Sequence, residues 1–264
     1  MQPELLLFDI GNTCIKVGLA DSRGVMTSYN LRTDPAQTSD SLGLTLLELL
    51  RHAGAEPRFT ACVASSVVPG FDPLLREAVQ RYLGCPLWMV PQDMPIPLQN
   101  HYERPQEVGA DRLVGAYEAR RLHPGPESLI VVDFGTATTF DVVTSDGAYL
   151  GGAIFPGLKV SMDALVQRAA KLPRVEIVPP EQAIGTSTVA SMQSGIIYGY
   201  AGAVDNIVQK LEEQLGQKAR VVATGGLAKT VSQAYHGFTA IDKTLILDGI
   251  KVLYDRRKAC LLYT

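Results

Sequence analysis

A chain of 264 residues with 46% hydrophobic and 19% charged side chains has the balance of a globular protein, long enough for one large domain or two of ordinary size. Its net charge of −3 and pI near 5.8 argue against a dedicated nucleic-acid binder, which usually carries a basic patch. No uninterrupted apolar run reaches the ~20 residues needed to span a bilayer.

In chain order, Leu5–Asp9, Cys14–Leu19 and Met26–Leu31 read as three strands joined by Gly and Asp turns. The first is too short and too soon ended by Asp9 to be a signal peptide. Leu42, Leu46, Leu49 and Leu50 fall at helical spacing and predict a helix over Ser39–Ala53. Phe59–Val63 reads as a strand. Phe71, Leu74, Leu75, Ala78, Val79 and Tyr82 mark a helix introduced by Pro69-Gly70, and Leu87–Val90 is a further strand. Pro91 to Pro105 is read as a loop, long enough to be functional. Ala110–Leu122 is helical, with Gly109 at its start.

The scheme then starts again, with strands Leu129–Asp133, Thr138–Thr144 and Tyr149–Phe155 and a helix over Leu158–Ala169. Ser187–Leu215 is a long helical stretch in which Gly195, Gly199 and Gly202 lie near one face, predicting a close-packed neighbour there. Arg220–Thr224 is a strand, Gly225-Gly226 a turn, Leu227–Tyr235 a helix and Leu245–Arg257 a terminal amphipathic helix. The division between halves falls near 110–125, and the repeated β-β-β-α-β-α order predicts an α/β fold of mixed sheets with a ligand cleft between the halves.

Two segments look like copies of one device. Asp9-x-Gly11-Asn12-Thr13-x-x-Lys16 and Asp133-Phe134-Gly135-Thr136-Ala137-Thr138-Thr139 each follow an apolar run. Such a turn offers N–H groups and hydroxyls to a phosphate, and its Asp can hold a cation; the alternative is an ordinary hairpin turn. Asp111 and Arg112 open a helix as a candidate general base and anion clamp, or as simple N-terminal helix chemistry. Gly151-Gly152-Ala153-Ile154-Phe155-Pro156-Gly157 either admits a substrate to the backbone or packs closely against another element. Thr224-Gly225-Gly226 either supports a nucleotide base or ribose at a helix start or makes a tight turn. There is no Walker A sequence, no G-x-G-x-x-G and no nucleophile elbow. Cys14, Cys62, Cys85 and Cys260 form no metal-binding spacing and read as reduced, mostly buried thiols.

Together, Asp9–Lys16, Gly109–Arg112, Asp133–Thr139, Gly151–Gly157 and Thr224-Gly225-Gly226 resemble, in order and spacing, the type III pantothenate kinases of the acetate kinase, sugar kinase, Hsp70 and actin superfamily. The similarity runs from Leu5 to about Arg257. It implies two duplicated ribonuclease-H-like, actin-like ATPase domains with mixed five-stranded sheets, over 1–115 and 116–264, with the terminal helix 245–257 free to pack back on the first. It also implies ATP-dependent phosphorylation of pantothenate, the first step of coenzyme A synthesis. By resemblance, Asp9, Ile10, Gly11, Asn12, Thr13, Cys14, Ile15, Lys16 and Thr136 bind ATP. Tyr102, Gly109, Ala110, Asp111, Arg112 and Thr188 hold pantothenate, with Asp111 the proton acceptor. Asp133 binds a monovalent cation, potassium or ammonium, and Asp9 is a candidate for Mg2+. The expected form is a cytoplasmic homodimer with no nucleic-acid or membrane partner. One departure is local: the family commonly reads Gly-Lys-Asn-Thr where this chain has Gly185-Thr186-Ser187-Thr188. A transcription-accessory role, or a superfamily kinase acting on another small hydroxyl acceptor, stand as alternatives.

Overall fold

The computed structural model describes residues 2–262 and divides them into two compact units. Unit 1 takes residues up to 97, 106–118 and those from 244 onward; unit 2 takes 98–105 and 119–243.

Unit 1 is built on a sheet of order β3-β2-β1-β4-β5, from Leu5–Ile10 (β1), Cys14–Asp21 (β2), Gly24–Arg32 (β3), Ala61–Ser66 (β4) and Leu87–Val90 (β5). The first three strands are antiparallel, and β4 and β5 run parallel to β1. β1 is apolar almost throughout because both its faces are covered. Leu6, Phe8 and Ile10 meet the leucines of α1 (Ser39–His52) and the apolar side of α2 (Asp72–Tyr82). Leu5 and Leu7 face Ile246, Leu247, Ile250 and Leu253 of α7 (Leu245–Leu262). Complete burial of such side chains contributes about 1.5–3 kcal/mol each. Thr38 caps α1 by accepting the Ser41 N–H at 3.1 Å. Gly18 leaves room for Leu247, whose Cδ1 would lie 3.0 Å from an added Cβ. The terminal helix runs to Leu262, past the Arg257 at which the sequence reading ends it.

Unit 2 repeats the design. Leu129–Phe134 (β7), Ala137–Val143 (β8), Ala148–Pro156 (β9), Arg220–Gly225 (β10) and Ala240–Ile241 (β11) give the order β11-β10-β7-β8-β9, with the same pattern of antiparallel and parallel neighbours. It has a sixth strand where the duplication predicts five: Gln99–Asn100 (β6), inside the segment read as loop, pairs parallel with β9. Ile130, Val132 and Phe134 pack against Ile197, Tyr200, Val204 and Val208 of α5 (Thr188–Leu215). The Tyr200 hydroxyl also donates to the Pro156 carbonyl at 3.0 Å. α5 ends at Gly216, whose φ of 68° suits the left-handed cap.

Three expectations are corrected. No heavy atom lies within 4 Å of a Cβ built on Gly195, Gly199 or Gly202, so among the described residues nothing packs closely on that face of α5. The helix expected over Leu227–Tyr235 shrinks to Ala228–Val231 (α6), after which Thr239 pairs back to Val221 and starts β11. Among the described residues no disulfide joins the four cysteines, but Cys14 and Cys260 are exposed, and of the four Cys62 alone is fully buried.

Candidate active site

Both repeated turns close on their own backbone. In unit 1 the Gly11 N–H donates to the Cys14 carbonyl at 3.0 Å. Thr33, just after β3, ties the turn from outside: its hydroxyl donates to the Gly11 carbonyl at 2.6 Å and its N–H to the Thr13 carbonyl at 3.1 Å. Asn12, Thr13 and Cys14 are left exposed at the tip. Asp9 lies opposite Lys16 across β1 and β2, so carboxylate and ammonium stand on one face at the mouth of the turn. Partial desolvation pushes the Cys14 thiol's pKa up, opposed by Lys16 and aided by Asp9, so both charged groups are felt at the turn tip.

The second turn is one residue shorter. Ile10 pairs with Ile15 in the first hairpin, whereas Phe134 pairs with Thr138 in the second, and the Gly135 N–H donates to the Ala137 carbonyl at 3.1 Å. Thr139 consequently occupies, opposite Asp133, the place that Lys16 holds opposite Asp9. Thr136 is exposed at the tip, and its carbonyl accepts the Gly157 N–H at 3.1 Å. Gly157 belongs here because a Cβ would come 2.1 Å from that oxygen. Gly225 serves Asp133 in the same way: its φ is +90°, and a Cβ would lie 2.5 Å from Asp133 Oδ1. Neither reading of Thr224-Gly225-Gly226 foresaw this backbone room for a carboxylate, which the geometry adds. Four-residue α6 then follows at once.

Asp111 lies at the second position of α3 (Ala110–Leu122), within unit 1. Its Oδ1 accepts the Arg112 N–H at 2.8 Å. The carboxylate folds back over Gly109, where an added Cβ would stand 2.5 Å from Oδ1 and 3.2 Å from Val67 Cγ1. Val67 continues β4, and its N–H donates to the Ile10 carbonyl at 3.0 Å. Asp111 is therefore held at the carboxyl ends of the strands that carry Asp9. Burial raises its pKa above the ordinary carboxylate value, against the opposing pull of the Arg112 N–H and guanidinium. We expect Gly109→Ala to push this carboxylate aside and lower kcat about tenfold or more, with a far smaller change in melting temperature. Unaltered kcat would show that the close fit is irrelevant to turnover.

Tyr102 and Thr188 belong to unit 2. The Tyr102 N–H donates to Asn100 Oδ1 at 3.0 Å, and its ring lies 3.1 Å from a Cβ built on Gly151, whose φ is +106°. The glycine segment 151–157 thus receives a tyrosine ring and a turn rather than leaving an open backbone. Thr188 opens α5 and lines a cavity of about 750 Å3 with Gly185, Thr186, Ser191 and Met192. Ser187 caps the helix by accepting the Ala190 N–H at 3.2 Å. Serine thus does what the family's asparagine would do, since both are favoured caps, while Thr186 brings no charge to the cavity wall. Sequence reasoning missed Thr33, Val67 and Gly157 as supports of the turns. It also missed Ser65, which lies opposite Asp9 on β4.

Residues 5–210 match the family model described as type III pantothenate kinase. Among curated proteins, a type III pantothenate kinase from Desulfovibrio desulfuricans is 56% identical over 96% of this chain and 97% of its own length. One from Myxococcus xanthus is 43% identical over 97% of this chain and 99% of its own. Among solved structures, a Campylobacter jejuni protein assigned to a Baf family of transcriptional activators superposes with a TM-score of 0.60 at 18% identity, covering 96% of this chain and 99% of its own. The activator of the 2-hydroxyisocaproyl-CoA dehydratase from Clostridium difficile, solved with bound ADPNP, gives 0.55 at 13% identity, covering 98% and 97%. These two likenesses establish a shared fold and nothing further.

Proposed function

The chain belongs to the type III pantothenate kinase family, and from that premise we propose which of its residues carry the reaction. The activity is transfer of the γ-phosphoryl group of ATP to the hydroxyl of pantothenate. A bond forms between the pantothenate oxygen and the γ-phosphorus, the bond to the bridging oxygen of ADP breaks, and the hydroxyl proton leaves. The observation that carries the assignment is the seat of Asp111: a half-buried, less acidic carboxylate fixed over Gly109 at the strand ends that bear Asp9. Such a group accepts a proton near neutral pH better than an ordinary aspartate. Phosphoryl transfer passes through a loose transition state, so Asp111 serves chiefly to orient the oxygen.

The Asp9–Lys16 turn takes the ATP phosphates in this reading, with Lys16 and the turn N–H groups bearing their charge, and Thr136 is a second nucleotide contact. Arg112 faces the pantothenate carboxylate, for which its planar fork is suited. Tyr102, Gly109, Ala110 and Thr188 complete the acceptor's contacts.

Among the described residues no cluster of three or more His, Cys, Asp or Glu side chains could cage a metal. That fits Mg2+, which commonly binds through one or two carboxylates, substrate phosphates and water, with Asp9 as the protein's share. Potassium or ammonium would be held by Asp133, whose carboxylate is given its place by Gly225. Bound there, the ions supply charge neutralisation around the triphosphate.

The proposed working form is a cytoplasmic homodimer. The support for a dimer is the exposed apolar side chains at the start of α5, where Ile184 is 82% and Val189 43% exposed. No helix among the described residues is long and apolar enough to cross a membrane.

The test is ADP release from purified protein with Mg-ATP and potassium, with and without pantothenate. Release that depends on pantothenate is the expected result. A folded, ATP-binding protein that pantothenate does not stimulate would have to act on another acceptor or serve a regulatory role.

A further inference from the structure

Four residues stand in the same relation in the two sheets. Asp9 on β1 lies opposite Ser65 on β4, and Asp133 on β7 lies opposite Thr224 on β10. Each is the last residue but one of its strand. Alternation places each hydroxyl on the same face as its carboxylate. In unit 1, Leu5, Leu7, Ala61 and Val63, which share that face with Asp9 and Ser65, belong to one core cluster. In unit 2, Ile130, Val132, Val221 and Ala223 fill the opposite face, leaving Asp133 and Thr224 together.

Ser65 is fully buried and Thr224 is 1% exposed. Neither Ser65 Oγ nor Thr224 Oγ1 has a hydrogen-bond partner. A buried hydroxyl without a partner is uncommon, because its desolvation is not compensated. Where these strands need only packing they use Ala and Val: Ala61, Val63 and Ala64 in β4, and Val221, Val222 and Ala223 in β10. The same cost recurs at equivalent positions, each beside a carboxylate assigned to an ion, and recurrence points to a shared role.

We propose that Ser65 and Thr224 are positioning residues for the two ion sites, Ser65 donating its hydroxyl hydrogen to the Asp9 carboxylate when magnesium nucleotide is bound, and Thr224 to the Asp133 carboxylate when the monovalent cation is bound. Neighbouring strands lie about 4.8 Å apart, so rotation about one side-chain bond brings the hydroxyl within reach. A carboxylate that accepts this bond through one oxygen presents the other in a fixed direction, as outer partners do at metal sites. Each pair lies within its own unit. The proposal rests on the assignment of Asp9 to Mg2+ and Asp133 to potassium or ammonium.

Ser65→Ala, isosteric Thr224→Val and the hydroxyl-keeping Thr224→Ser test it in the full-length chain. Thermal unfolding is followed without ligand, then in Mg-ADP with titration of potassium chloride against a sodium chloride control, then at fixed potassium with titration of magnesium. Without ligand, Ser65→Ala and Thr224→Val should melt at or above the parent temperature, since an unpaired buried hydroxyl is gone. Thr224→Val should raise the half-saturating potassium about fivefold and leave the magnesium requirement alone. Ser65→Ala should do the reverse, and Thr224→Ser should behave as the parent.

Titrations that match the parent in both variants would overturn the proposal. So would a lowered ligand-free melting temperature with equal losses in both titrations, which marks a merely structural role. A parent protein that responds no better to potassium than to sodium would instead overturn the cation assignment of Asp133, and one indifferent to magnesium that of Asp9.

Discussion

Replacing Asp111 by Asn is expected to lower kcat about 10²–10⁴-fold, the range contributed by a positioned general base, with ATP affinity nearly intact. Asn keeps the shape but cannot take the hydroxyl proton. The acid limb of kcat/KM in the parent should lie above the ordinary carboxylate range, because burial raises the pKa of Asp111. The same shift has a stability consequence. A carboxyl whose folded pKa exceeds its unfolded value contributes no penalty below the unfolded pKa, where both states are protonated. The penalty grows as pH rises from the unfolded to the folded value and stays constant above it. Asp111→Asn should therefore raise the melting temperature at pH 7 and lose that advantage below about pH 4. Equal loss of ATP affinity and turnover would make Asp111 structural or metal-linked; an unchanged kcat would remove it from the chemistry.

The second large effect is expected from the salt. With sodium as the only monovalent cation, turnover should fall about tenfold or more, equivalent to about 1.4 kcal/mol of transition-state stabilisation, and potassium or ammonium should restore it. Asp133→Asn should flatten this dependence by removing the charge proposed to hold the cation. The carboxylate is not free to move aside: Gly225 meets it from β10, and the Gly135 turn follows immediately. Identical rates in the three salts would take the cation away from Asp133.

The sequence makes the repeated strands legible because both faces of β1 and β7 are buried, which turns Leu5–Phe8 and Leu129–Val132 into continuous apolar runs. Helix α1 is equally plain from the helical spacing of Leu42, Leu46, Leu49 and Leu50. What is hidden depends on pairing across long separations. Gln99–Asn100 and Ala240–Ile241 are too short to carry a period, and only their partners β9 and β10 make them strands. The glycines of α5 look like a close-contact stripe, yet two of them border cavities: Gly195 the one beside Thr188, Gly202 another of about 420 Å3. In the site, the turns and Asp111 can be found as residue types in a pattern. The Gly109–Asp111 fit, the Gly225–Asp133 fit and the Ser65–Asp9 register need the backbone, since a glycine or serine at a strand end has many ordinary uses.

The composition of unit 1 sets an order of assembly during synthesis. Its sheet is complete once β5 has emerged, but the helix that covers Leu5, Leu7 and Val63 begins only at Leu245, after residues 119–243 have been made. At roughly 5–20 residues per second the gap is on the order of 10 s. During that interval the apolar sheet face has Met94 and, from α3, Val114 against it but lacks its four buried α7 side chains. Such a surface is the kind that chaperones engage, and unit 2 finishes before the unit that was started first.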